Sequence, residues 1–145
     1  SDLLTNRKTD YKFDLEKFTN VAGKTGIYIQ YAQVRANKLI GALNVDEQPI
    51  SETSSKLDLL DRKLIIALAN IEFYLDLSVK NSEPHHLANY LYEISNAFNA
   101  FYQASNIKNI EDKIKKNQKI LITTLFIKYS HLVMSCLGIK PVEKM

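Results

Sequence analysis

The chain has 145 residues, of which 46% are hydrophobic and 24% charged, with only 4 Gly and 3 Pro. That balance suits one mostly helical domain with a sizeable core, and it excludes a loop-rich or low-complexity protein. The net charge of +3 permits contact with phosphates without demanding it, and the lone Cys136 excludes an internal disulfide and fits a reducing compartment.

In chain order, Asp14 is a candidate N-cap for an expected short helix through Val21, with Gly23 as its natural stop. A second helix runs from about Gly26 to Leu43 and is broken by Asn44 to Pro49. In the third stretch Leu57, Leu60, Leu64, Leu68, Ile71, Leu75 and Val79 recur at threes and fours along one stripe. Ile65 and Ile66 widen that stripe, so the spacing predicts a single central helix buried on more than one side.

Asn81 and Ser82 end it, and Glu83 and Pro84 open the fourth helix, whose core face is Leu87, Leu91, Ile94, Phe98 and Phe101. Asn109, with Glu111 and Asp112, starts the fifth. Its apolar face reads as Ile114, Leu121, Leu125, Tyr129, Leu132 and Cys136, and Gly138 follows as the C′ residue. No strand-like alternation is sustained, so the expected fold is all-α, an antiparallel bundle of about five helices.

The residues hold no recognisable active site. Cys136 falls on an apolar face, where a packed thiol is the expected role. His85 and His86 are adjacent, point different ways on a helix and should not grip one metal; His131 is isolated, so no metal site is expected. Gly23 and Gly26 lack the further glycine and preceding strand of a phosphate loop, and no cofactor site is expected. Ile120 to Leu137 is interrupted by Thr123, Thr124, Lys128, Ser130 and His131, which excludes a membrane span there. The opening residues carry no signal-peptide core, and a start at Ser1 without methionine reads as a piece of a longer protein.

Two features carry binding chemistry. Asp112 to Lys119 is lysine-rich, which makes either a solvated helix face or an edge that holds a nucleic-acid backbone. Tyr28, Tyr31 and Arg35 share one helical face. They form either a partly buried tyrosine pair with the arginine bridging to a carboxylate, or a platform that stacks unpaired RNA bases beside a guanidinium. Tyr90, Tyr102 and Tyr129 pose the same choice.

Matches in order along the chain shift the balance toward RNA for Tyr28, Tyr31, Arg35 and Tyr102. The Leu3 to Asp14 segment, the Gly23 to Arg35 stretch, Leu59-Leu60-Asp61-Arg62-Lys63-Leu64-Ile65, Glu83 to Leu91, Phe98 to Tyr102, and the close from Leu137 to Met145 together resemble the C-terminal, all-helical DALR-type anticodon-binding domain of arginyl-tRNA synthetases. Ile27 stands where that family usually has proline, which leaves the shape of the turn at Gly26 open. The ending and the Gly23 to Arg35 stretch argue against the related cysteinyl and glycyl enzymes. A helical adaptor that binds protein is the rival of a different class; in it the tyrosines would be core or interface.

The resemblance implies that residues 1–22 lead out of a catalytic core and that residues 23–145 grip the anticodon stem and loop of arginine tRNA. Tyr28, Tyr31, Arg35, Tyr102 and Met145 would surround the loop, and Lys38, Lys115, Lys116 and Lys119 would contact phosphates. It also implies a cytoplasmic parent enzyme, arginine–tRNA ligase, that uses ATP with magnesium. Its His-x-Gly-His and Lys-Met-Ser-Lys-Ser signatures do not occur in this chain, so the chain alone should have no catalytic site and no cofactor. The implied partners are the tRNA and the parent's catalytic domain, not DNA or a membrane.

Overall fold

Helix α4, His85–Ser105, is the axis on which the other helices pack. Its predicted stripe is the real one: Leu87, Leu91, Ile94, Phe98 and Phe101 are all buried. The computed structural model describes residues 6, 10, 15, 16, 25–43 and 56–142. Around α4 lie α1 (Gly26–Ala42), α2 (Leu59–Ala69), α3 (Ile71–Asn81) and α5 (Lys113–Cys136), with a short 3-10 turn at Ile107–Asn109. The described residues contain no strand. Of the expected helix from Asp14 to Val21 only Leu15 and Glu16 are described, both helical; the rest of it, the break at Asn44 to Pro49, Gly23 and most of residues 1–22 lie outside the described residues.

α2, α3 and α5 run antiparallel to α4. Phe98 stacks on Phe126 of α5 at 4.2 Å between ring centroids and 7° between planes, while Tyr74 of α3 meets Tyr90 and Glu93 of α4. α1 lies along α4 in the same sense, with Tyr28 beside Tyr92 and Asn96 and Arg35 beside Asn99 and Tyr102.

Two expectations need correction. The third stretch is not one central helix but α2 and α3, separated at Asn70. The physical reason sits on α4: the buried Tyr90 hydroxyl donates to the Leu68 carbonyl at 2.9 Å. A side chain inserted into a helical hydrogen-bond ladder is a recognised cause of such breaks. The pair is peripheral as well, with Ile66 and Phe73 each 61% exposed and Val79 exposed. Tyr90→Phe would leave that buried carbonyl without its partner and should cost about 1–3 kcal/mol in a urea unfolding curve. An unchanged midpoint would remove Tyr90 as the cause of stability at the break.

The second correction concerns α5, whose buried face is rotated from the expected one. Ile122, Phe126, Val133 and Met134 face the core, whereas Ile114, Leu132 and Cys136 are exposed. Lys119, Thr123 and Ser130 also lie on the buried face. Each is satisfied there. Thr123 donates to the Lys119 carbonyl at 2.9 Å, and Ser130 donates to the Phe126 carbonyl while accepting from the Gln33 amide of α1. Asp112, not Asn109, caps α5, taking the Ile114 and Lys115 amides at 2.9 and 3.2 Å.

Gly138 ends α5 as expected, at φ 69° with the Ile139 amide on the Met134 carbonyl at 2.8 Å. The following tail turns back onto α1. Gln30 holds it from both sides, donating to the Lys140 carbonyl at 3.0 Å and accepting from the Val142 amide at 3.1 Å.

Candidate nucleic-acid interface

Thr25 caps α1 through the Tyr28 amide at 3.4 Å, which starts the helix so that Tyr28, Tyr31, Arg35 and Lys38 follow one another along a single face. The opposite face is apolar, with Ile29, Ala32, Ala36 and Leu39 buried in the core. The polar face is therefore held at fixed distance from α4.

Arg35 is the centre of the resulting cluster. Its guanidinium carbon sits 4.4 Å from the Tyr31 ring centroid and 5.0 Å from that of Tyr102, so the group lies between two aromatic rings. Nη2 donates to the Tyr31 hydroxyl at 2.6 Å and Nη1 to Oδ1 of Asn99 at 3.1 Å. These bonds leave guanidinium N–H groups for an incoming acceptor. The carboxylate bridge considered for Arg35 is absent among the described residues; an amide and a phenol take its place.

Tyr28 donates to Oδ1 of Asn96 at 3.1 Å and packs against Tyr92 at 5.6 Å. Tyr31 is 42% exposed, while Tyr28 and Tyr102 are half-buried. The structure thus brings Tyr28, Tyr31, Arg35 and Tyr102 together on the α1–α4 seam. Tyr90 and Tyr129 stand apart, Tyr90 wholly buried and Tyr129 packed against the core. Met145 lies outside the described residues.

Sequence reasoning missed Tyr92, Asn96 and Asn99. Their spacing of four and three, leading on to Tyr102, was a visible signal: a polar stripe beside the apolar one on α4. Asn96 matters most, because its oxygen serves Tyr28 and its exposed position leaves the amide N–H groups accessible. Near the start of α1 there is also an apolar cavity of about 440 Å³, between Ile27 and Gln30 on one side and Ile139 and Val142 on the other.

The lysines divide. Lys38 is exposed on the same face as Tyr31 and Arg35. Lys116 is half-buried and reaches the Lys108 carbonyl at 3.3 Å. Lys115 pairs with Asp58 at 3.3 Å. Lys119 departs most from expectation. It is 3% exposed and paired with Asp61 at 2.5 Å and Asp58 at 2.9 Å, which withdraws it from any phosphate. A pattern that counts every lysine as surface cannot see a carboxylate 58 positions away.

The histidines also depart from the reading that adjacent imidazoles must diverge. The His85 and His86 ring centroids are 4.0 Å apart, and both rings approach the carboxylate of Glu83. Among the described residues no helix is long and apolar enough to cross a membrane.

The profile of the DALR anticodon binding domain matches residues 29–145. Among curated relatives, an arginine–tRNA ligase of Actinobacillus succinogenes is 37% identical over all of this chain and 25% of its own length. One of Francisella tularensis subsp. novicida is 31% identical over 99% of this chain and 26% of its own length. Among solved structures, Thermus thermophilus arginyl-tRNA synthetase superposes with a TM-score of 0.86 over 98% of this chain and 25% of that one, at 22% identity, a likeness of fold. Arginyl-tRNA synthetase from Plasmodium falciparum gives 0.78 at 29% identity, over 99% of this chain and 25% of that one. The chain spans about a quarter of the length of the relatives it matches.

Proposed function

Since the chain belongs to the DALR anticodon-binding domain family, we propose that it grips the anticodon stem and loop of arginine tRNA within an arginine–tRNA ligase. The observation that carries this reading is Arg35 held between Tyr31 and Tyr102 and bonded to the amide of Asn99, with the amide of Asn96 bonded to Tyr28. Aromatic faces stack on unpaired bases of any identity, and a guanidinium forks onto a phosphate or base edge. Amide groups supply the donors and acceptors that tell one base from another.

Arginine codons of both boxes share only their central G, so their anticodons share a central cytosine. A site accepting all of them reads that cytosine and tolerates the other letters. Cytosine presents an amino donor with ring-nitrogen and carbonyl acceptors, which side-chain amides match. The Tyr31, Arg35 and Tyr102 cluster supplies stacking and charge, and Met145, by resemblance, an apolar wall.

In this reading the chain contributes affinity and orientation, and the rest of the parent enzyme, with ATP and magnesium, activates arginine and charges the tRNA in the cytoplasm. Residues 1–22 would lead in from that catalytic part.

The test is a salt titration of binding to an arginine tRNA anticodon stem-loop. The logarithm of affinity should fall linearly with the logarithm of salt, by about 0.7–0.9 per phosphate contact. Lys38→Gln should reduce that slope by about one contact and leave the preference for the central base unchanged. A flat salt response would instead favour a protein-binding bundle.

A further inference from the structure

We propose that Glu83, His85 and His86, at the junction of α3 and α4, bind a divalent transition-metal ion of the zinc type. The ligands are Oε2 of Glu83, Nδ1 of His85 and Nε2 of His86. Nε2 of His86 lies 3.2 Å and Nδ1 of His85 3.9 Å from Oε2, and one donor atom from each of the three residues can be chosen so that all lie within 4.8 Å of one another. Metal bonds of about 2.0–2.1 Å from imidazole nitrogen and carboxylate oxygen set donors about 3.4 Å apart in a tetrahedral shell. The two pairs that involve Glu83 already bracket that spacing, and the imidazoles must rotate to bring the third pair to it.

The backbone holds these donors together before any ion arrives. Ser82 ends α3 in the left-handed region at φ 54°, and the Glu83 amide bonds back to the Ser78 carbonyl at 3.0 Å. Pro84 then fixes its own φ at −66° as the N-cap of α4, which His85 begins. All three donors therefore sit on one short connection clamped at each end, and little ordering is left for the binding step.

Their burial fits as well. Side-chain exposures of 14%, 22% and 15% for His85, His86 and Glu83 shelter the donors, yet leave an entry path and room for water as a fourth ligand. Helix capping accounts for only part of the arrangement. An acidic residue before α4 with a hydrogen bond to His86 explains one histidine, but not a second imidazole 4.0 Å from the first and turned to the same carboxylate. Two imidazoles with one carboxylate suit zinc and its first-row neighbours, whereas calcium and magnesium prefer oxygen donors.

The probe is zinc itself, titrated calorimetrically into the 145-residue chain, with Co²⁺ absorption as a second readout. One ion should bind per chain, and cobalt should show the intense visible bands of a four- or five-coordinate site. His85→Gln and His86→Gln should each weaken zinc binding by at least about tenfold. His131→Gln should leave it unchanged. A readout that needs no variant guards against misfolding: the imidazole NMR signals of His85 and His86 should shift on zinc addition and those of His131 should not. The proposal is overturned by an absence of binding at roughly tenfold zinc excess, or by binding that both Gln variants retain. Zinc shifts confined to His131 would overturn it equally.

Discussion

Lys119→Met is expected to lower the unfolding free energy by about 3–5 kcal/mol. Its ammonium, 3% exposed, lies 2.5 Å from Oδ1 of Asp61, itself 2% exposed, and 5.2 Å from the Phe101 ring centroid. Removing the cation strands a carboxylate in the core between α2, α4 and α5. Asp61 has a second task there, since its other oxygen accepts the Asp58 amide at 3.1 Å and so caps α2.

Replacing both partners, as in Lys119→Met with Asp61→Leu, should recover much of the loss, apart from about 1 kcal/mol for the cap. Urea titration of the single and the double variant measures this. A Lys119→Met loss under about 0.5 kcal/mol would mean that no carboxylate is left stranded in the core.

Asp58 adds a pH signature. The hydrogen bond from Lys119 lowers its pKa below the ordinary 3.8, helped by Lys115 and opposed by desolvation. A depressed carboxylate stabilises the fold above its unfolded value, and that contribution is lost as pH falls through the lower folded value. The Asp58 part should therefore disappear only below about pH 4, and it should be small because the side chain is half exposed.

Arg35→Ala should weaken binding of the arginine anticodon stem-loop by about 10- to 100-fold, with the helical content unchanged. The guanidinium fixes two rings at once, and it bonds Asn99 at 3.1 Å besides. Its loss removes a charge contact and frees Tyr31 and Tyr102 from their stacking geometry; stacking alone is worth roughly 1–3 kcal/mol per base, or about one to two decades. Arg35→Lys should restore little, because an ammonium neither lies flat between two rings nor forks to two acceptors. Tyr102→Ala should fall in the same range. Wild-type affinity for Tyr102→Ala would remove its stacking role.

How legible was this in the sequence? The core stripe of α4 was, because burial of five apolar residues at helical spacing leaves no other solution. So was the shared face of Tyr28, Tyr31 and Arg35, which follows from spacing alone. What spacing could not give was anything that depends on a distant partner. Lys119 is buried because Asp61 waits across the bundle, Ser130 because Gln33 does, and α2 and α3 separate because Tyr90 reaches Leu68 from 22 positions away. The rotated face of α5 is the same effect, since partnered polar residues took places that a hydropathy pattern assigns to apolar ones. The histidine pair failed for a local reason: at a helix start, Glu83 precedes the helical register and both rings turn toward it.

The central claim is that this bundle reads the base shared by all arginine anticodons. The direct measurement is a titration of two anticodon stem-loops that differ only at the central position, cytosine against uracil, at one fixed salt concentration. The cytosine loop should bind about 10- to 100-fold more tightly, since a mismatched hydrogen-bond pattern leaves polar groups unpaired at about 1–3 kcal/mol. Equal affinities would contradict the claim and leave the Tyr31, Arg35 and Tyr102 cluster with no role in base recognition.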